Sequence, residues 1–149
     1  MKKSILVLAL AILGFAGSAF AGTKDPSVPG RITDQFSNQF AKATDVQWQM
    51  GKNFFKATFE DWGRTLFAFY AFNGDLMGVA SNLSPAGLPG RLKTQLHRDF
   101  AGYWITDLFS YGNQNERGMV VTIENPDRIV VLKALGKGNW IVYRTTIKN

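Results

Sequence analysis

The sequence predicts an α+β fold made of two tandem helix-plus-four-strand units, an antiparallel sheet with both helices on one face. Three observations predict it. First, the segment Val28–Ala41 returns as Leu88–Ala101, with Pro29/Pro89, Gly30/Gly90, Arg31/Arg91, Gln35/Gln95, Phe40/Phe100 and Ala41/Ala101 in matching places. Internal repetition of this kind marks one structural unit used twice. Second, Ile32, Phe36 and Phe40 in the first copy, like Leu92, Leu96 and Phe100 in the second, recur every fourth residue and share one helical face. Third, each copy is followed by runs of alternating apolar and polar residues separated by turn formers. Short connections of that sort favour antiparallel hairpins that the helices can cover.

Taken in order, Met1 to Ala21 reads as a signal peptide. Lys2-Lys3 is a charged start, Ile5 to Phe15 is an apolar run too short to span a bilayer, and Ala19-Phe20-Ala21 is a small-x-small cleavage site. Cleavage after Ala21 gives a periplasmic or secreted protein. Residues 22–27 read as a flexible polar leader. Residues 28–149 read as the folded domain, with one repeat over 28–84 and the other over 88–147.

Pro29 suits the start of a helix, where a missing N–H costs nothing, and the apolar spacing carries that helix to about Ala43. Val46, Trp48 and Met50 alternate with Gln47 and Gln49 as in a half-buried strand. Gly51-Lys52-Asn53 is turn chemistry, and Phe55, Ala57 and Phe59 alternate through the next strand. Asp61-Trp62-Gly63 turns the chain into Arg64 to Phe72, apolar on both faces. Asn73-Gly74 is the strongest hairpin signal and leads to a strand over Leu76 to Leu83. After the second helix, strands are expected at Tyr103–Tyr111, Gly118–Glu124, Arg128–Ala134 and Asn139–Ile147. Their separators are Asn113-Gln114-Asn115, Asn125-Pro126-Asp127 and Gly136-Lys137-Gly138.

Composition narrows the function classes. The chain has no cysteine, which rules out disulfides and an N-terminal lipid anchor at the cleavage site. The formal charge of +6 includes Lys2 and Lys3, and the rest is scattered singly. Scattered charge keeps an exported domain soluble and does not build the basic patch that nucleic acid requires. The expected partner is an envelope or secreted protein, with no nucleic acid and no membrane anchor.

Phe40, Ala43, Val46 and Trp48 fit an F-x-x-A-x-x-V-x-W pattern, Phe72-Asn73-Gly74-Asp75-Leu76 fits F-x-x-G-x-L, and Leu88-Pro89 follows as a helix start. In this order the segment resembles the exported PepSY-like, β-lactamase-inhibitor-protein-like (BLIP-like) proteins of Bacteroidetes. Ala41 stands where that family often has proline. The resemblance implies a helix-plus-four-strand unit, export, and no assigned catalytic residues. It does not imply inhibition of a β-lactamase.

Signals for chemistry are sparse. His97 is the single histidine, about 100° from the apolar stripe of its helix, and reads as facing solvent or the edge of the stripe. One histidine without cysteine cannot build a histidine-rich zinc site, and no G-x-S-x-G nucleophile motif occurs. The carboxylates Glu60, Asp61, Asp75, Asp107, Glu116, Glu124 and Asp127 lie at strand ends or turns, with no pair singled out. Gly136-x-Gly138 is too short for a phosphate loop. The chain therefore reads as a non-enzyme with no cofactor and no metal.

Aromatic residues are the remaining signal, with 12 Phe, 4 Trp and 4 Tyr. Phe36, Phe40, Trp48, Phe55, Phe59 and Phe100 fall on the expected inward faces. Phe54 shares a strand face with Lys56, Thr58 and Glu60; Trp140 shares one with Val142, Arg144 and Thr146; Trp62 sits in a turn. One reading makes these cross-strand pairs that stabilise an open face. The other makes Phe54, Lys56, Trp62, Lys133, Trp140 and Arg144 a protein-binding surface, since rigid aromatics beside cations bury much area at little entropic cost. The expected function is a non-enzymatic exported binding module, acting in protein–protein interaction or inhibitor-like. The alternative is a carrier with an apolar pocket between helices and sheet.

Overall fold

The computed structural model describes Thr23–Lys24 and residues 26–149. The expected signal peptide, residues 1–21, lies outside the described residues. Contacts divide the chain into two units, one ending at Ser81 and one spanning Asn82–Asn149.

The first unit contains β1 (Thr23–Lys24), α1 (Gly30–Gln39), β2 (Thr44–Met50), β3 (Phe54–Asp61), β4 (Arg64–Ala71) and β5 (Leu76–Asn82). Pro29 stands just before α1 in an extended conformation, and its carbonyl accepts the Ile32 N–H at 2.9 Å. The helix ends at Gln39, short of Ala43, because Phe40 leaves helical geometry while its N–H still bonds the Phe36 carbonyl at 2.8 Å. The strands lie in chain order, each antiparallel to the next. Thr23–Lys24, expected in the leader, pairs with Met50 and Gln49 of β2. Short loops join the central strands: Gly51 N–H bonds Phe54 O across Lys52-Asn53, and Gly74 N–H bonds Ala71 O across Phe72-Asn73 while Ala71 N–H bonds Asp75 O.

Ile32 and Phe36 of α1 bury against Phe55, Ala57, Phe59, Leu66, Ala68 and Tyr70. Each large apolar side chain removed from water contributes about 1.5–3 kcal/mol. Tyr70 adds a hydroxyl hydrogen bond to Gln39 at 2.7 Å, which ties the end of α1 to β4.

The second unit begins with a one-turn 3₁₀ segment, Pro85–Gly87, and continues with α2 (Gly90–Asp99), β6 (Trp104–Gly112), β7 (Arg117–Glu124), β8 (Arg128–Leu135) and β9 (Ile141–Ile147). Its strands are again antiparallel neighbours in chain order. Asn113 and Asn125 close its turns, each with a side-chain oxygen accepting two backbone N–H groups. Leu88 and Leu92 bury against Leu108, Val121, Ile123, Val130 and Leu132.

This arrangement corrects the expected fold. The described residues are mostly antiparallel sheet, eight principal strands of seven to nine residues, with only two ten-residue helices. They are not two tandem helix-plus-four-strand units with both helices on one face, although α+β remains the class. The helices are short because Phe40 and Phe100 each leave helical geometry directly after them. The border between units falls inside β5 and not in front of a helix, so no helix-led module stands apart.

Candidate ligand pocket in the second unit

The second unit holds a cavity of about 430 Å³ between α2 and the strands beneath it. Its position follows from local geometry. Pro89 precedes α2, the Lys93 ammonium donates to Ala86 O at 2.9 Å, and the 3₁₀ segment is thereby tied to the helix. Phe100 caps the far end through its N–H to Leu96 O at 2.9 Å. Gly102, in the left-handed region at φ +83°, reverses the chain so that the Tyr103 ring meets the Phe100 ring edge-on at 5.8 Å. Leu88, Leu96, Phe100, Tyr103, Ile105 and Ile123 supply the apolar lining. Lys93, His97 and the Tyr103 hydroxyl are its polar side-chain groups, and none of the described residues lining it is acidic.

The first unit explains why the space exists. Thr44 pairs with Glu60 as Trp104 pairs with Glu124, so Phe59 corresponds to Ile123 and Trp48 to Leu108. The repeated segment makes Phe36 the counterpart of Leu96 and Phe40 that of Phe100. In the first unit these positions are filled ring on ring: Phe36–Phe59 at 4.9 Å, Phe40–Phe59 at 4.7 Å and Phe36–Trp48 at 5.3 Å. The second unit keeps one ring of the four and replaces the others with Leu96, Leu108 and Ile123. Protein interiors close-pack; of the three smaller side chains, Leu96 and Ile123 line the cavity, while Leu108 is buried in the core. The sequence raises an apolar pocket between helices and sheet as the alternative without naming residues for it, although the Phe36/Leu96 exchange lies within the repeated segment.

The six residues expected to make contacts are placed differently. Phe54, 9% exposed, lies over Gly51 with its ring 5.7 Å from that of Phe69. Lys56 is 7% exposed with its ammonium 4.6 Å from the centre of the Phe67 ring, and burial pushes its pKa down to about 8. Lys133 is also 7% exposed, 5.7 Å from the Tyr143 ring. Trp140 does not share an open face with Arg144. It is 4% exposed, its indole N–H bonds Leu92 O at 3.1 Å, and its backbone exchanges two hydrogen bonds with the Gln95 side chain. Alternation fails there because Trp140 precedes β9 and a register shift follows between Val131 and Leu132.

Trp62 and Arg144 are exposed, Trp62 at 79%. Trp62 occupies a two-residue turn at φ +51°, followed by Gly63 at +70°, with Lys42 4.2 Å from its ring. That turn type requires positive φ at both positions, which strains a bulky side chain by about 1–2 kcal/mol.

Among the described residues no three His, Asp or Glu side chains cluster as metal ligands. Glu124 is engaged by Lys148 and by the Trp104 indole N–H, each at 2.9 Å, which holds its carboxyl below the usual range. Asp107 is pushed upward by burial. His97 is exposed and stands at the mouth of the cavity.

No protein-family model and no curated relative matches the chain. Solved structures do match. A DUF2874 family protein from Bacteroides ovatus ATCC 8483 superposes with a TM-score of 0.70 at 17% identity, covering 82% of this chain and 89% of that one. A BLIP-like protein from Bacteroides fragilis NCTC 9343 gives 0.66 at 17% identity, covering 82% and 87%. A protein from Bacteroides eggerthii DSM 20697, named as a candidate periplasmic protein, gives 0.70 at 11% identity, covering 82% and 90%. At these identities the likeness shows a shared fold. No helix among the described residues is long and apolar enough to cross a membrane.

Proposed function

We propose that this protein is a non-enzymatic, exported binding module whose second unit holds a small apolar ligand between α2 and the strands below it. One observation carries the reading. Positions filled by Phe36 and Phe59 in the first unit are Leu96 and Ile123 in the second, and these two line a cavity of about 430 Å³. That volume lies within the range of small-molecule sites, about 300–1,000 Å³, which are mostly apolar with few polar groups. Export rests on the Lys2-Lys3 start, the apolar run and Ala19-Phe20-Ala21, and is supported by the periplasmic naming of the Bacteroides eggerthii structure. PepSY-like kinship rests on the Phe40–Trp48 and Phe72–Leu76 patterns.

Native mass spectrometry of protein recovered from the cell envelope tests both parts. The spectrum should show a chain starting at Gly22 and carrying a small adduct that Leu96→Phe plus Ile123→Phe eliminates. A bare polypeptide mass for the unsubstituted chain, or an adduct that survives both substitutions, counts against the pocket.

A second reading, docking of an envelope or secreted protein in an inhibitor-like manner, is favoured by Trp62. A bulky aromatic held exposed at positive φ costs stability and gains nothing in the core, and such strain concentrates at functional sites. The likeness to a BLIP-like protein supports it. With Phe54, Lys56, Lys133 and Trp140 buried, the contact role rests on Trp62 and Arg144. A pull-down from envelope extract with Trp62→Asn and Arg144→Ala variants should lose a partner that the parent retains; identical partner sets dispose of it.

A further inference from the structure

We infer that the ligand of the second-unit pocket is an amphiphilic monocarboxylate, its apolar tail among Leu96, Phe100, Ile105 and Ile123 and its carboxylate at the mouth between Lys93 and His97. The inference rests on the pocket reading above and adds the chemical class.

The polar groups at the mouth select the head group. Lys93 and His97 are one helical turn apart on α2, a spacing that puts side chains on one face with about 5–6 Å between their Cβ atoms. Both line the cavity. The Lys93 ammonium is anchored by Ala86 O at 2.9 Å and keeps two further N–H groups for an acceptor. The neighbouring Arg98 guanidinium is committed to Asp99 at 2.6 Å, so that pair neither competes for an anion nor repels one strongly. With no acidic residue among the described lining residues, a cationic head group finds no counterpart. A carboxylate finds two donors, and hydrogen bonds with an ionised partner are about twice as strong as neutral ones.

The tail is selected by the floor. Leu88, Leu96, Phe100, Ile105 and Ile123 present no hydrogen-bonding side-chain atom, so a polar body would lose its water without compensation. The Tyr103 ring meets Phe100 edge-on at 5.8 Å and completes the lining.

Octanoate and 1-octanol share a chain length and differ in the head group, so isothermal titration of both at neutral pH tests the assignment. The full mature chain should bind octanoate at least about tenfold more tightly than octanol. Lys93→Met plus His97→Gln should remove that margin and leave octanol binding unchanged, while Leu96→Phe plus Ile123→Phe should abolish both. Circular dichroism melts confirm that each variant folds. Equal affinity for the two ligands in the parent, or undiminished octanoate binding by the Lys93→Met/His97→Gln variant, overturns the carboxylate and leaves the pocket standing. Binding of neither ligand overturns the inference together with the pocket.

Discussion

Lys56 shows at the scale of one residue what the sheet does to a charge. Its ammonium lies 4.6 Å from the centre of the Phe67 ring, and burial lowers its pKa from 10.5 to about 8. The unfolded chain therefore holds a proton that the folded chain has released between about pH 8 and 10.5, and stability rises with pH across that window, by at most about 1.4 kcal/mol per unit. Tyr70 acts in the opposite sense. Burial raises it from 10.0 to about 12, so above pH 10 the unfolded chain sheds a proton that the folded chain keeps, and stability falls. Tyr111 is raised in the same direction by burial and the Glu116 charge. The urea midpoint should climb from pH 8 to a maximum near pH 10, and Lys56→Met should flatten the climb. A wild-type midpoint that does not rise over this range contradicts the burial of Lys56. The sequence shows the alternation that places Lys56 beside Phe54, yet not that this face is shielded from water, because alternation gives only the side of a strand and not what covers it.

At the scale of elements, the repeated Arg and Gln have a structural task that their letters do not disclose. Arg31 donates to Phe72 O next to the β4–β5 turn, and Arg91 donates to Gly138 O and to Asn139 Oδ1 at 2.8 Å beside the β8–β9 connection. Each helix is thereby clamped to the loop that closes the last hairpin of its own unit. Gln95 extends the clamp to the backbone of Trp140 at 2.7 and 3.0 Å. Arg91→Met keeps the apolar stem and removes the donors, and should lower the unfolding free energy by about 1 kcal/mol, read from urea titration. Arg31→Met should behave alike; no change in either contradicts the clamp. The repeat was legible because its side chains recur at fixed places. Its acceptors were not, because they are backbone carbonyls that any sequence provides. Helix length was overestimated for a related reason: Phe40 and Phe100 continue the apolar spacing while their backbones have left the helix.

At the scale of the whole molecule, matched positions of the two units are packed differently. The first unit spends Phe36, Phe40, Trp48 and Phe59 on a ring cluster, whose aromatic pairs contribute about 0.5–1.5 kcal/mol each beyond burial. The second retains Phe100 of that set and opens a cavity beside His97. α+β and the strand-rich turns were readable from periodicity and turn chemistry; the sheet's dominance over the two short helices was not, since a repeated helical stripe draws attention to the helix and away from the strands that follow it. The central claim is that ligand binding belongs to the second unit's pocket. Methyl-resolved NMR during an octanoate titration tests it most directly. The account predicts shifts at Leu88, Leu96, Ile105 and Ile123, with Ile32 and Leu66 of the first unit unmoved. Shifts centred on Ile141, Val142 and Ile147 of β9, or none at any methyl, would contradict it.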